Sequence, residues 1–136
     1  MAVAPVFRDD ASAAFFDGTA RGELLIRHCV PNGHALAPDQ TQCPRCGSTE
    51  LEWVGASGRA QLVSWAVVHT RPANPGDAEQ TDVLGLVELE EGPWMHAALI
   101  PGDSADRQRN LRIGQDLIVD FVESGEGETL PAFRPA

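Results

Sequence analysis

The stretch from Cys29 to Gly47 most constrains what this chain can fold into, because it has no periodic apolar pattern large enough to form a core. Proline, glycine, asparagine, aspartate and glutamine dominate it. Such a segment needs a stabilising cross-link, such as a metal ion or a disulfide, or must pack against another part of the protein. It also contains all three cysteines of the chain, and an odd number argues against a disulfide framework. Metal binding is therefore the first hypothesis to consider.

The second half of this stretch is a well-formed knuckle, with the sequence Cys43-Pro-Arg-Cys46-Gly47. Two thiolates at this spacing can face one ion, and the glycine lets the backbone turn back tightly. The first half, which begins at Cys29, is incomplete because Asn32 stands where a second cysteine is expected. His34 follows two residues later.

Three interpretations of the site remain open on these residues. In the first, one zinc ion is held in a closed tetrahedral site by Cys29, His34, Cys43 and Cys46, since imidazole is an ordinary zinc ligand. In the second, the metal has been lost and the ribbon survives as packed loops. In the third, zinc keeps the three thiolates, and water or Asn32 completes its shell. We take the first as our prediction.

The pattern around the knuckles predicts a mainly β protein with three parts. Residues 1–22 form an arm and a short helix, 23–54 a zinc-ribbon-like segment, and 55–136 a five-stranded OB-type barrel with one helical insert. We expect these elements at the following residues: a helix over 9–20, ribbon strands over 22–27 and 50–54, barrel strands over 59–70, 83–89, 94–100, 117–123 and 129–133, and the helical insert over 103–110.

Composition excludes several functions. The ten basic residues are all arginine, so there is no lysine for a Schiff base or a phosphate loop, and there is no tyrosine. A net charge of −10 argues against nucleic acid as a partner. No run is long and apolar enough for a membrane span, and the first residues do not resemble a secretory signal, so we expect a cytoplasmic protein. No nucleophile elbow or nucleotide loop is present, and we assign no catalytic residue.

The order of motifs resembles the acyl-CoA-associated OB-fold family with an N-terminal rubredoxin-like zinc ribbon, long catalogued as a domain of unknown function. The resemblance covers almost the whole chain from Phe15 onward and rests on an ordered set of short motifs. These are Phe15-Phe16, 21–25, Cys29, Gly33, 43–47, 51–53, 56–60, 67–69 and 130–134.

The resemblance implies an accessory role. Members of this family stand beside thiolases, thiolase-like acyltransferases, and the lipid-transfer-type aldolases of steroid or bile-acid side-chain breakdown. The partner enzyme carries the catalytic residues, and the small protein supports its assembly or the entry of acyl-CoA. Cys29, Cys43 and Cys46 match the family's metal ligands, whereas Asn32 departs from them.

We therefore predict a non-catalytic subunit in a hetero-oligomer with a thiolase-like or aldolase enzyme, whose substrate is an acyl-CoA. Large aromatic residues contribute most when they are buried in interfaces, and the predicted partner contacts are Phe15, Phe16, Arg71 and Trp94. Two alternatives remain open: a free-standing OB module that binds an acyl-CoA or another small ligand, and binding of single-stranded nucleic acid by stacking on tryptophan.

Overall fold

The computed structural model describes residues 6–70, 74, 76, 80–100 and 111–136. The helical insert predicted over 103–110, Arg71 and most of the loop over 71–80 lie outside these residues. The elements, in chain order, are α1 (Ala13–Ala20), β1 (Leu25–Cys29), β2 (Ala35–Leu36), β3 (Leu51–Gly55), β4 (Arg59–Thr70), β5 (Gln80–Leu89), β6 (Trp94–Leu99), β7 (Asp116–Glu123) and β8 (Thr129–Pro135).

Helix α1 begins four residues later than predicted. Asp9 and Ser12 bond to each other instead of capping a helix that starts at Asp9: the Ser12 N–H and hydroxyl donate to the Asp9 carboxylate over 2.9 and 2.7 Å. The helix ends in a Schellman motif, in which Glu23 N–H reaches the Gly18 carbonyl and Gly22 N–H reaches that of Thr19. Gly22 has a φ of 78°, which explains why glycine occupies this position.

The ribbon segment folds as a three-stranded antiparallel sheet in the order β2-β1-β3. Strand β1 lies three residues later than predicted at its start, so that it ends on Cys29 itself. Strand β2 was not predicted, because two residues carry too little pattern to reveal a strand.

The barrel prediction is confirmed. Five strands close in the order β4-β5-β6-β8-β7, which is the architecture of an OB-type barrel. All neighbouring pairs are antiparallel except β6 and β8, which run parallel and share only two residue pairs.

One apolar core joins the ribbon sheet to the barrel. Leu24 and Ile26, at the start of the ribbon, belong to the same buried cluster as Leu62, Val87 and Phe133 of the barrel. A second, much smaller cluster contains Cys29, Leu36 and Cys43, and only Leu51 packs against it. The knuckles are thus the part of the fold with the least apolar support.

Arg8 provides the ion pairs that fix the segment before α1 to the barrel. Arg8 forms a bidentate contact with Glu128, with its Nε 2.6 Å from Oε1, and its Nη1 lies 2.6 Å from Asp17 of α1. Hydrogen bonds from Arg8 lower the pKa of Glu128. Arg8 therefore connects the arm, the helix and the β7–β8 turn, and the backbone of Val6 adds two hydrogen bonds between the arm and that turn, to Ser124 and Glu128.

Gly58 is a position next to β4 where a side chain is poorly tolerated. Its φ is 85°, and a Cβ there would lie 2.7 Å from Cγ1 of Val119 on β7. We expect Gly58→Ala to lower the free energy of unfolding by about 2–4 kcal/mol, since a left-handed backbone and a close contact both penalise alanine.

Gly55→Ala is the matched control, because a Cβ at Gly55 meets no atom within 4 Å. Urea denaturation followed by tryptophan fluorescence measures both variants. Equal stability of the two would show that the β4–β7 junction is not as tight as the structure indicates.

Candidate metal centre and partner-facing surface

The four predicted ligands lie together. Cys29, His34, Cys43 and Cys46 each offer one ligand atom, and these atoms all lie within 4.8 Å of one another. The sulfur atoms of Cys29 and Cys46 are 3.4 Å apart, and His34 Nδ1 lies 3.3 Å from the Cys43 sulfur.

Two knuckles with the same backbone pattern bring these side chains together. In the second, Gly47 N–H donates to the Cys43 carbonyl over 2.8 Å, and Cys43 N–H donates to the Ser48 carbonyl over 2.9 Å. The first repeats this pattern through Cys29, Gly33 and His34, with distances of 2.7 and 2.8 Å. Both glycines have positive φ, 73° and 75°. The first knuckle therefore keeps its backbone geometry although one cysteine is missing.

Asn32 occupies the position in the first knuckle that Cys46 occupies in the second. Burial raises the pKa of Cys29, and the Asn32 backbone opposes that effect; after the Ser48 backbone, the Asn32 side-chain amide is one of the groups that lower the pKa of Cys46. Groups of this kind tune a metal site from outside its ligand shell. Asn32 itself is not part of the cluster, in which His34 offers the fourth ligand atom.

The pKa values of the neighbouring Cys29 and Cys46 thiols are shifted in opposite directions. Hydrogen bonds from the Ser48 backbone N–H, the Asn32 side chain and the Cys29 thiol lower the pKa of Cys46 to about 6. Burial raises the pKa of Cys29. One sulfur is therefore ready to coordinate near neutral pH, and the other must exchange its proton for the metal.

Three sulfurs and one imidazole nitrogen form a donor set that can hold a metal ion and is compatible with zinc. His28, the residue before Cys29 in β1, does not belong to this set, and its Nδ1 lies 2.8 Å from Glu52. Four protein ligands on one ion leave no open position for a substrate, so the arrangement is that of a structural site.

The aromatic residues predicted as partner contacts differ in exposure. Trp94 is 53% exposed and is held in place by its Nε1–H, which donates to Glu88 over 3.0 Å. Phe15 is half-buried against Phe16 and Trp53, with ring centroids 5.2 and 6.4 Å away. Phe16 is only 8% exposed and packs edge to face against Phe15.

Sequence reasoning missed that the outer face of β4, β5 and β6 carries an apolar patch among polar residues such as Asp82, Glu88 and His96. The residues that point away from the core on these strands include Ala66, Val68, Leu84, Leu86, Trp94 and Ala98. Leu84 is 46% and Val68 38% exposed. A signal for this face was present: residues 83–87 are an unbroken apolar run, which in an antiparallel sheet indicates that both faces are covered.

This face continues into a groove of about 1290 Å³ between the ribbon and the barrel. Phe15 and the segment 33–40 form one wall, residues 94–98 of β6 form the other, and Leu130 and Pro131 of β8 also line it. Within the described residues, no helix has the length and apolar character needed to cross a membrane.

A closed OB-type barrel preceded by a Cys/His ribbon defines the class of this protein, and the comparisons identify its family. The sequence profile described as "ChsH2, C-terminal OB-fold domain" matches residues 53–122, about half of the chain. The protein belongs to this family.

A solved structure titled "Ltp2-ChsH2(DUF35) aldolase" is similar to nearly the whole chain. It has 31% sequence identity and a TM-score of 0.75, and the match covers 94% of this chain and 96% of that one. A DUF35-family protein of unknown function from Sulfolobus solfataricus shares the fold at 13% identity, with a TM-score of 0.60 over 93% of this chain and 86% of its own.

Two curated relatives are longer than the matched region. A probable enoyl-CoA hydratase alpha subunit from Thermomonospora curvata is 34% identical over 92% of this chain but only 37% of its own length. A DUF35 domain-containing scaffold protein from Pyrococcus furiosus is 38% identical over 65% of each chain. This chain therefore spans less than two thirds of either relative.

We expect the cluster to bind one metal ion per chain through His34. His34→Ala should weaken cobalt(II) binding by more than about tenfold, since even residues outside a ligand shell contribute that much. His28→Ala should leave binding unchanged, because His28 pairs with Glu52. Titration of the metal-free protein, followed by the thiolate–cobalt absorption, measures both. Equal affinities would mean that three sulfurs bind without the imidazole.

Proposed function

We propose that this protein is a non-catalytic accessory subunit of an acyl-CoA-processing enzyme, of the thiolase-like or lipid-transfer-type aldolase kind. Its role is to support the assembly of that enzyme or the entry of acyl-CoA. The partner supplies the catalytic residues, and the two form a hetero-oligomer. A cytoplasmic location and a place in steroid or bile-acid side-chain degradation belong to the same proposal.

The apolar patch on the outer face of β4–β6 is the observation that carries this proposal. Side chains on the outer face of a barrel normally meet water, and contiguous apolar patches on a protein surface mark interaction sites. Here Leu84 and Trp94 are both about half exposed and lie on adjacent strands. The names of the relatives support a role of this kind, since one is a subunit, one a scaffold protein, and one an aldolase structure with two named components.

The metal in this proposal is zinc, one ion per chain, held by Cys29, His34, Cys43 and Cys46. Zinc would supply structural cross-linking and no reaction step, because its four ligands close the site. The ribbon needs this cross-link, since its own cluster contains three buried residues. The ion thereby keeps the segment 33–40 in place as a wall of the groove.

A free-standing OB module that binds an acyl-CoA is the second candidate. The groove favours it, because a volume of about 1290 Å³ is large enough for an acyl chain. Charge argues against direct contact with CoA phosphates, since the chain carries −10 overall. Any such ligand would therefore enter with its acyl end.

Purification of the tagged protein at native expression from its host, followed by mass spectrometry, tests the proposal. We expect an acyl-CoA enzyme subunit to be recovered with it, and Leu84→Asp to reduce recovery by about tenfold or more, because a charge would be buried in the interface. Ile113→Asp is the matched control, since Ile113 is 64% exposed and does not line the groove.

Recovery of the chain alone, together with saturable binding of an acyl-CoA in calorimetry, would support the second candidate instead. Equal recovery with Leu84→Asp and Ile113→Asp would place the interface on another face.

A further inference from the structure

The edge of β6 that faces β8 has no partner strand over residues 94–97 within the described part of the chain. The two strands pair only at Ala98 with Ala132 and Leu99 with Phe133. Toward the start of β6 they diverge, and the groove lies at this point, with Trp94–Ala97 on one side and Leu130 and Pro131 on the other.

The hydrogen bonds of β6 show which of its backbone groups face the groove. Leu89 N–H donates to the Pro93 carbonyl over 2.9 Å, so odd-numbered residues of β6 bond to β5. Ile100 N–H donates to the Phe133 carbonyl over 2.8 Å, so even-numbered residues point toward β8. Because backbone groups alternate along a strand, the N–H and C=O of Trp94 and His96 point into the groove.

Pro131 explains why pairing stops. Extending the parallel register by two residues would require residue 131 to donate its N–H to the His96 carbonyl, and proline has none. The next groove-facing carbonyl of β8, that of Thr129, is already bonded by the Thr19 hydroxyl of α1 over 2.7 Å. Among the described strands, none is left to pair with this edge of β6.

We propose that an extended segment of the partner subunit adds as a strand to the β6 edge at Trp94 and His96. This deepens the accessory role proposed above and rests on it for the identity of the partner. A peptide backbone supplies the N–H and C=O groups that an acyl chain lacks, and alternate apolar side chains would contact Phe15 and Leu130 in the groove.

Charge favours a basic segment and disfavours a second copy of this chain. Two carboxylates line the groove: Asp39 on the ribbon wall and Glu91 at the β5–β6 turn. A third, Glu88, accepts the hydrogen bond from Trp94. Among the described residues that line the groove, Arg45 is the one arginine or lysine. A chain with a net charge of −10 would repel its own copy at such a rim. Arginine or lysine beside the apolar residues of the segment would be complementary.

A library of random dodecapeptides displayed on phage, panned against the full chain, tests this without requiring the partner. We expect enriched peptides with alternating apolar residues and a basic flank. They should bind wild type and His96→Ala alike, because alanine keeps the backbone N–H. His96→Pro should weaken binding by about tenfold, since proline removes that donor without touching the bonds to β5.

Amide hydrogen exchange on the wild-type chain gives a second measurement that does not depend on the folding of His96→Pro. The amides of Trp94 and His96 should exchange more slowly when an enriched peptide is bound. The proposal is wrong if no peptide is enriched, if folded His96→Pro binds as well as wild type, or if enriched sequences show the three- and four-residue spacing of a helix. It is equally wrong if the edge instead pairs two copies, seen as a concentration-dependent dimer.

The peptide-binding experiment and the purification experiment can fail independently of each other. Failure to recover an acyl-CoA enzyme subunit would contradict the proposed function while leaving strand addition to this edge supported by the peptides.

Discussion

The barrel closes through a parallel contact of only two residue pairs between β6 and β8, and the surrounding structure is arranged around the gap that this leaves. Helix α1 covers the β8 side, where the Thr19 hydroxyl bonds the Thr129 carbonyl. The ribbon strands add Leu24 and Ile26 to the barrel core. The Cys/His cluster lies next to the segment 33–40, which lines the groove. The helix, the ribbon and the groove thus all lie beside this incomplete strand pairing.

Much of this could be predicted from sequence, because the signals are local. The Cys43–Cys46 spacing and its glycine define a knuckle at any position in a fold, and alternation with turn residues reveals barrel strands. The spatial grouping of Cys29, His34, Cys43 and Cys46 could also be predicted, since His34 has the chemistry that Asn32 lacks, and their ligand atoms lie within 4.8 Å of one another. What the sequence could not show is the effect of Asn32 on the pKa values of Cys29 and Cys46, because that effect depends on how the two knuckles face each other.

Two other features were misplaced or missed, for different physical reasons. The start of α1 was misplaced because Asp9 and Ser12 bond to each other, a local alternative to capping a helix. The apolar patch on the outer face combines Ala66, Leu84 and Ala98, which become neighbours only once the register of β4, β5 and β6 is fixed. An apolar run along one strand shows that both of its faces are apolar. It does not show whether the outer face is covered by the same chain or is left exposed.

The central claim is that the ribbon wall, the groove and the outer face of β6 form one docking surface for a catalytic partner. Hydrogen exchange of the chain, alone and bound to the acyl-CoA enzyme subunit recovered with it, tests this most directly. The account predicts slower exchange at residues 33–40 and at Trp94 and His96, with the acidic turn over 124–128 unchanged. Protection confined to residues 124–128 would contradict it, because that turn lies outside the described groove.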